Sequence, residues 1–384
     1  MSVDEVDLAI DRALTEIAGR LPILMLVTPI NVPEARRAFF EGPARDPEFV
    51  YAPLPDLGAI GEELKAVNPE QATDPVLIHM ARDLHRELER RIDLLRVRGT
   101  DRFLVAAIEE YGYVERSLLS LANDILDAFP RRRRTQERVA AERLAMLMRL
   151  EIDHYRRQFP ELAARVEVRR TAVGVLVENG HVLIGADTTI DADRVEQLVQ
   201  HEIGVHVLTH VNGGVQPIRM LSLGLAGYDE AQEALGVLAE HLSGGLKPRR
   251  LRILALRVIA AQSVTDGNTF RQTFEILRGR GTDRQTAFTT ALRAHRSGGM
   301  TKDALYLRGL ERLLGYLRDG GRLDTLLLGK MSLEYEPLVV DLLERGVLVE
   351  PPLRPRFLES ANAQARLAEI RAGANVVELG RMAA

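Results

Sequence analysis

His201-Glu202-Ile203-Gly204-Val205-His206 is the stretch of this 384-residue chain that decides its interpretation. Two of the nine histidines flank a glutamate here, inside apolar spacing that predicts a helix ending near Asn212-Gly213. Imidazole nitrogens bind zinc well, and a neighbouring glutamate can accept a proton from an attacking water. The hexapeptide therefore predicts a zinc site on a helix.

The spacing of the two histidines poses a geometric problem. In the familiar H-E-x-x-H motif the histidines are four residues apart and lie on one helix face. Five residues apart, they would point about 140° away from each other on an undistorted α-helix. A π-bulge would restore convergence, so we expect an i→i+5 hydrogen bond or similar irregularity between Val199 and His206. The rival interpretations are a His206–His210 pair, or two histidines satisfied by hydrogen bonds within a buried helix.

A catalytic zinc site also needs a third protein ligand and an open position for water. The next predicted helix offers Glu230, Glu233 and Glu240. Glu233 and Glu240 are seven residues apart and share a helix face, so either one can bind the metal while the other orients an imidazole. Spacing alone does not choose between them.

Composition excludes several classes of protein. The net charge of -4 gives no basic field for nucleic acid, and the lack of cysteine excludes disulfides and thiolate ligands. The apolar run Leu21 to Val27 is far shorter than the ~20 residues of a membrane span, and the acidic N-terminus is unlike a secretory signal. We therefore expect a cytoplasmic protein without membrane or nucleic-acid partners; the oligomeric state stays open. Four of its 51 basic residues are lysines, a bias that we attribute mainly to genome composition: Lys65, Lys247, Lys302 and Lys330.

Apolar periodicity predicts a mainly helical α+β fold with a small sheet before the histidine helix. Residues 1–165 are expected to form a helical lobe and residues 166–384 the zinc-bearing part, packed together as one body. The other local predictions are a strand-like run over Leu21 to Val27, mostly loop from Thr28 to Leu57, a solvated turn at Arg131 to Arg134, and a tail after Pro351. Further helices are predicted over Val6–Ala18, Pro75–Arg98, Arg102–Ala128, Thr135–Phe159 and from about Gly227 to Arg345.

Asn179-Gly180 interrupts a β-branched stretch that runs from Val166 to Ile184. Both central residues of a type I′ turn need positive φ, so this pair predicts a β-hairpin. The strand from His181 to Ala186 can either bind a substrate backbone by strand addition or lie inside the sheet with no free edge.

Three segments together resemble a known family. They are the His201–His206 hexapeptide, Gly224–Glu230 and Thr301–Gly309, and Arg345–Leu348 with Pro351–Pro355 adds to the likeness. The chain is similar, over about residues 20–358, to bacterial proteins named for a Q-E-G-L-A motif and once described as modulators of flavohemoglobin expression. It also resembles their distant eukaryotic relatives, the microtubule-associated tyrosine carboxypeptidases.

The resemblance implies a set of residue roles. His201 and His206 would bind zinc, Glu202 would act as the base, and the motif's glutamate, Glu233, would be the third ligand. The chain departs from the motif, because it reads Gln-Glu-Ala-Leu-Gly over residues 232–236, with the glycine and the alanine exchanged. This exchange affects the expected pocket shape and activity more than the metal ligand.

The favoured function is a zinc peptidase, in particular a carboxypeptidase acting on peptide or protein C-termini. Tyr306 is the candidate donor to the oxyanion, with an ordinary core tyrosine as the alternative. Arg308 and then Lys302 are candidates for binding the substrate carboxylate, with salt bridges as the alternative. The competing functions are a non-catalytic zinc-binding regulator and an endopeptidase or aminopeptidase on the same zinc site. The eukaryotic substrate, tubulin, is not carried over.

Overall fold

The computed structural model describes residues 3–42, 46–130, 137–170 and 172–383. The predicted turn at Arg131 to Arg134 lies outside these residues. The described chain is mainly helical with two small sheets, so the predicted α+β class is confirmed. None of the described helices is both long and apolar enough to cross a membrane.

The first helices build the part of the chain before residue 165. They are α1 (Glu5–Gly19), α2 (Ile23–Val27), α3 (Val32–Glu41), α4 (Leu57–Ala66), α5 (Pro75–Arg96), α6 (Phe103–Tyr111), α7 (Arg116–Ala128) and α8 (Ala141–Arg156). The histidine region consists of α9 (Val195–Val199), a π-helix (Gln200–Val207) and α10 (Leu208–Gly214).

Further helices follow to the end of the described chain. They are α11 (Met220–Leu223), α12 (Tyr228–Gly244), α13 (Pro248–Thr265), α14 (Phe270–Gly279), α15 (Arg284–His295), α16 (Leu305–Arg318), α17 (Leu323–Leu326), α18 (Glu336–Glu344), α19 (Ala361–Arg371) and α20 (Val376–Met382). A 3-10 turn over Lys302–Ala304 leads directly into α16.

The predicted hairpin is present. Asn179 and Gly180 have φ values of 47° and 75°, as the turn requires. The strands are β1 (Arg138–Ala140), β2 (Val166–Arg169), β3 (Val175–Glu178), β4 (His181–Gly185) and β5 (Thr189–Asp191). β4 lies between β2, its parallel neighbour, and β3, its antiparallel neighbour. It therefore has no free edge for strand addition, and β1 pairs with β5 in a separate sheet.

The strand predicted over Leu21 to Val27 was wrong, because this segment is helix α2, which begins just after Pro22. The segment Thr28 to Leu57, predicted as mostly loop, also contains the helix α3. In α3 the proline stands within the first two helical positions, where its missing N–H has no partner to lose. The tail expected after Pro351 instead forms α19 and α20, because apolar residues such as Ile370 and Leu379 are fully buried.

Two clusters of buried apolar side chains hold the fold together. The larger one extends from Ile10 to Leu379. The smaller one joins α8, strands β2 and β4, and the histidine region, and it also includes Leu353. Residues on both sides of position 165 thus share each cluster. The domain boundary predicted there stays a prediction.

Close approaches place α12 at the centre of the site. A Cβ built on Gly236 would lie 2.5–2.7 Å from ring atoms of His201, so glycine lets this imidazole rest on α12. A Cβ on Gly309 would lie 2.6 Å from the Glu230 carbonyl oxygen and 3.2 Å from the Ala234 methyl. Gly236 thus leaves room for the His201 ring on one side of α12, and Ala234 lies against Gly309 on another.

Candidate metal centre

The π-helix brings the two histidines together. It covers Gln200–Val207, which confirms the irregularity expected between Val199 and His206. Its i→i+5 bonding widens each turn, so a residue five positions along comes back to the same face. The ring centroids of His201 and His206 are accordingly 4.9 Å apart.

Both imidazoles are oriented through their Nδ1 atoms. Nδ1 of His201 lies 2.9 Å from Glu240 Oε1, and Nδ1 of His206 lies 3.3 Å from Gln232 Oε1. Both partners are acceptors, so each Nδ1 serves as the donor and Nε2 is the atom left to bind a metal.

Glu233 faces both free nitrogens. Its Oε2 lies 3.7 Å from His201 Nε2 and 3.8 Å from His206 Nε2. Ligand atoms of a tetrahedral zinc site, each ~2.1 Å from the ion, are roughly 3.4 Å apart. The two distances from Glu233 Oε2 are therefore close to those that a shared cation would need, although the group with all ligand atoms within 4.8 Å of one another is His201, Glu202 and His206. Two imidazoles and one carboxylate are also a donor set that zinc commonly accepts.

Glu240 has a different environment from Glu233. It accepts hydrogen bonds from Arg250 at 2.9–3.1 Å and one from Arg194 at 3.3 Å, and it faces His201 from the Nδ1 side. Although burial opposes ionisation, these arginines and His201 hold the pKa of Glu240 well below its usual range. Glu240 thus orients the imidazole, while Glu233 faces the position that a metal would take.

Glu202 is the third carboxylate of the centre. Ligand atoms of Glu202, His201 and His206 all lie within 4.8 Å of one another. Burial raises the pKa of Glu202 to about 7, opposed by the positive charge of His201. By contrast, His201, Lys302 and His206 overcome burial and hold the pKa of Glu233 well below its usual range. Such divergent pKa values distinguish a group that exchanges protons from one that stays ionised.

The histidines also differ in their affinity for protons. Burial lowers the pKa of His201, but Glu233 and Glu240 outweigh it and raise the value to about 9. Burial and the charge of His201 lower the pKa of His206 to about 4. A metal would therefore displace a proton from His201, and its affinity would increase with pH.

Lys302 and Arg308, the two predicted carboxylate-binding residues, are engaged in ion pairs. Lys302 Nζ lies 2.7 Å from Asp229 and 3.8 Å from Glu233 Oε1. Arg308 Nε donates to Glu230 at 2.7 Å, and its Nη2 donates to the Tyr111 carbonyl at 2.8 Å. Their role in binding substrate stays a prediction, and the contacts favour the interhelical salt bridges named as the alternative.

Tyr306 lies half-buried within electrostatic reach of the centre. The Arg257 guanidinium covers its ring at 4.5 Å from the centroid. Burial, followed by the negative charge of Glu233, raises the pKa of its phenol far above the usual value. Among the described residues its hydroxyl makes no hydrogen bond, which leaves this donor available to a substrate.

His210, the rival partner of His206, is engaged elsewhere. Its Nδ1 lies 3.1 Å from the Ser222 carbonyl oxygen, and its ring packs against Gly180 in the hairpin turn. Burial lowers its pKa to about 4. Glu233 therefore lies close to both His201 and His206. Among the described residues, no carboxylate lies in this way between His206 and His210.

Lys330 is a site residue that the sequence did not single out. It is buried, and its positive charge contributes to lowering the pKa values of both His206 and His210. One signal was available: in a chain with four lysines, Lys302 and Lys330 both lie beside the candidate metal centre.

Comparisons with known proteins agree with the geometry at the level of the family. Among solved structures, a protein from Colwellia psychrerythraea provisionally described as a lipoprotein is 12% identical, with a TM-score of 0.41, over 82% of this chain and 66% of that chain. That likeness is too distant to support an argument. No curated protein matches the chain. The family model described as microtubule-associated tyrosine carboxypeptidase matches residues 37–375. Because this match covers most of the chain, the chain belongs to the microtubule-associated tyrosine carboxypeptidase family.

Proposed function

We propose that the chain is a zinc-dependent carboxypeptidase that hydrolyses C-terminal peptide bonds. The observation that carries the proposal is the convergence of two imidazole Nε2 atoms on one carboxylate oxygen of Glu233. The family is one of carboxypeptidases, which supports the class of reaction. A free peptide or protein C-terminus is the substrate class, and a terminal tyrosine is the first residue to test. Membership in the bacterial Q-E-G-L-A subfamily stays a prediction.

Six side chains have roles in this mechanism. His201, His206 and Glu233 would hold the ion, which when bound supplies an acidified water and polarises the scissile carbonyl. Glu202 removes the proton from the attacking water and delivers it to the leaving amine. The Tyr306 hydroxyl donates a hydrogen bond to the oxygen that becomes negative. Lys302 holds the second oxygen of Glu233, so that Oε2 stays directed at the histidines.

The substitution Glu202→Gln tests this function. It preserves the shape of the side chain but removes the base, so turnover should fall by about 10²-fold or more while zinc content is unchanged. His201→Ala is the contrasting control and should lose both zinc and turnover. The measurements are zinc per chain by elemental analysis and digestion of a peptide library with and without chelator. Unchanged digestion by Glu202→Gln would contradict the mechanism.

A zinc-binding regulator without catalysis is the second candidate. Residues 232–236, with their exchanged glycine and alanine, were the feature that favoured it. In the structure Gly236 leaves room for the His201 ring, and Ala234 lies against Gly309, so the exchanged residues are sterically compatible with the arrangement of the site. A library digest that shows no chelator-sensitive product would favour the regulator. Internal or N-terminal cleavage would favour an endopeptidase or an aminopeptidase.

A further inference from the structure

Lys330 is a buried lysine that forms no ion pair among the described residues, although the more distant carboxylate of Asp229, which pairs with Lys302, acts on it electrostatically. Only 8% of the residue is exposed, yet among the described residues its ammonium makes no hydrogen bond and no ion pair. The Tyr228 ring, with its centroid 5.9 Å from Nζ, is an aromatic neighbour. Removing an ammonium from water without an opposite charge is costly. The position is therefore suited to an anion that arrives from outside the chain.

The backbone of Lys330 is held firmly in place. Its N–H donates to the Leu221 carbonyl at 2.7 Å, and its carbonyl accepts from the Leu225 N–H at 2.9 Å. A Cβ on the preceding Gly329 would lie 2.8 Å from the Leu221 carbonyl oxygen, so this close approach requires glycine. A binding group mounted on such a fixed backbone loses little entropy when it meets its ligand.

The backbone segment that carries Lys330 lies next to the candidate metal centre. Ser222 directly follows Leu221, and its carbonyl oxygen lies 3.1 Å from His210 Nδ1. His210 is one helical turn beyond His206, whose Nε2 faces Glu233. An anion held by Lys330 would thus lie on the His206 side of the centre.

The other cations near the centre already have acidic partners. Lys302 pairs with Asp229, and Arg308 pairs with Glu230. Arg250 binds Glu240 through two nitrogens. A cation that already has a partner gains less from a new anion, because the existing pair must be weakened first. Among the residues that the structure describes, Lys330 has no such pair to weaken.

We propose that Lys330 binds the C-terminal carboxylate of the substrate and so positions the last peptide bond at the metal centre. The proposal rests on the carboxypeptidase function above and adds the residue that recognises the chain end. A charge-assisted hydrogen bond to a buried ammonium distinguishes a free acid from an amide, since amidation removes the terminal charge.

The test measures binding separately from catalysis. The zinc-loaded Glu202→Gln protein is titrated into a short fluorescein-labelled peptide ending in tyrosine, in free-acid and amidated forms, and polarisation is recorded. With Lys330 present, the free acid should bind about tenfold more tightly or better. Adding Lys330→Met, which keeps an apolar stem of similar length, should reduce that preference towards one. Lys330→Arg should keep most of it, because the charge remains.

Two controls make the result decisive. Lys65→Met removes an exposed lysine paired with Glu62 and should leave the preference unchanged. The proposal is wrong if the protein with Lys330→Met keeps the preference for the free-acid peptide. It is also wrong if the Glu202→Gln protein that retains Lys330 binds the free-acid and amidated peptides equally, or binds neither. A further outcome is that, in a protein that retains Glu202, Lys330→Met slows hydrolysis of both peptides equally while the ratio of free-acid to amidated affinity stays unchanged. That result would mean that Lys330 acts on the oxyanion, and the proposed role in binding the carboxylate would again be wrong. A normal binding ratio without any hydrolysis by the unsubstituted protein would instead contradict the proposed function alone.

Discussion

The two lysines beside the candidate metal centre have opposite surroundings. Lys302 lies between Asp229 and Glu233, with Nζ–O distances of 2.7 and 3.8 Å. Lys330 is almost as deeply buried, but no acidic side chain among the described residues pairs with it. A charge with internal partners maintains the structure of a site, whereas a charge without them is available to a ligand. The comparison separates the residues that hold the centre from the residue that we propose to recognise substrate.

Removal of each ammonium should therefore affect stability very differently. Lys302→Met leaves Asp229 and Glu233 with less compensation for their buried negative charges, so we expect a loss of about 3–5 kcal/mol in the free energy of unfolding. Lys330→Met removes a buried charge that makes no ion pair in the described part of the chain, so it should be neutral or stabilising. Urea denaturation of the metal-free proteins measures both values. Equal losses for the two variants would show that the contrast between the lysines is wrong.

The contrast extends to Glu233 and Glu240, which share a face of α12. Glu240→Gln keeps its shape but loses the charge that orients His201 and pairs with Arg250. We expect zinc affinity to fall by roughly 10–100-fold, as is usual when a group that supports a metal ligand is changed. Competition with a chromogenic chelator measures this affinity. An unchanged value would mean that the contact between His201 and Glu240 does not support metal binding.

The sequence predicted the irregular helix because the five-residue spacing of His201 and His206 has few other solutions on a helix. The Asn179-Gly180 turn was equally accessible, since local backbone conformation determines it. The choice between Glu233 and Glu240 was not accessible from spacing, because it depends on Arg194 and Arg250 lying around only one of them. That arrangement results from tertiary packing.

The C-terminal region shows a different limit. The prolines at 351, 352 and 355 were interpreted as the start of a tail, but proline only interrupts a helix and does not decide whether the following chain packs. Phe357 lies close to Gly204 of the π-helix, where an added Cβ would meet its ring at 3.1 Å. The segment after the prolines thus packs directly on the histidine helix.

Arg308 provides the prediction with the smallest expected effect. The sequence made it the first candidate for the substrate carboxylate, because a guanidinium binds carboxylates in a bidentate manner. In the structure it already donates to Glu230 and to the Tyr111 carbonyl, and 17% of its side chain is exposed. Arg308→Ala should cost stability, about 1–3 kcal/mol, because Glu230 loses a partner. The preference for free-acid over amidated peptide should change by less than about twofold, since Lys330 is untouched.

The same polarisation assay checks this prediction, with Lys330→Met measured in parallel. If Arg308→Ala abolishes the free-acid preference and Lys330→Met does not, the original sequence-based choice was correct and the ion pair with Glu230 opens on binding. If Arg308→Ala lowers the midpoint of urea unfolding but keeps the preference, Arg308 is a structural link between α12 and α16. In that case the bidentate geometry of the arginine indicates an internal ion pair, and the lack of an ion pair at Lys330 among the described residues is the better guide to the substrate.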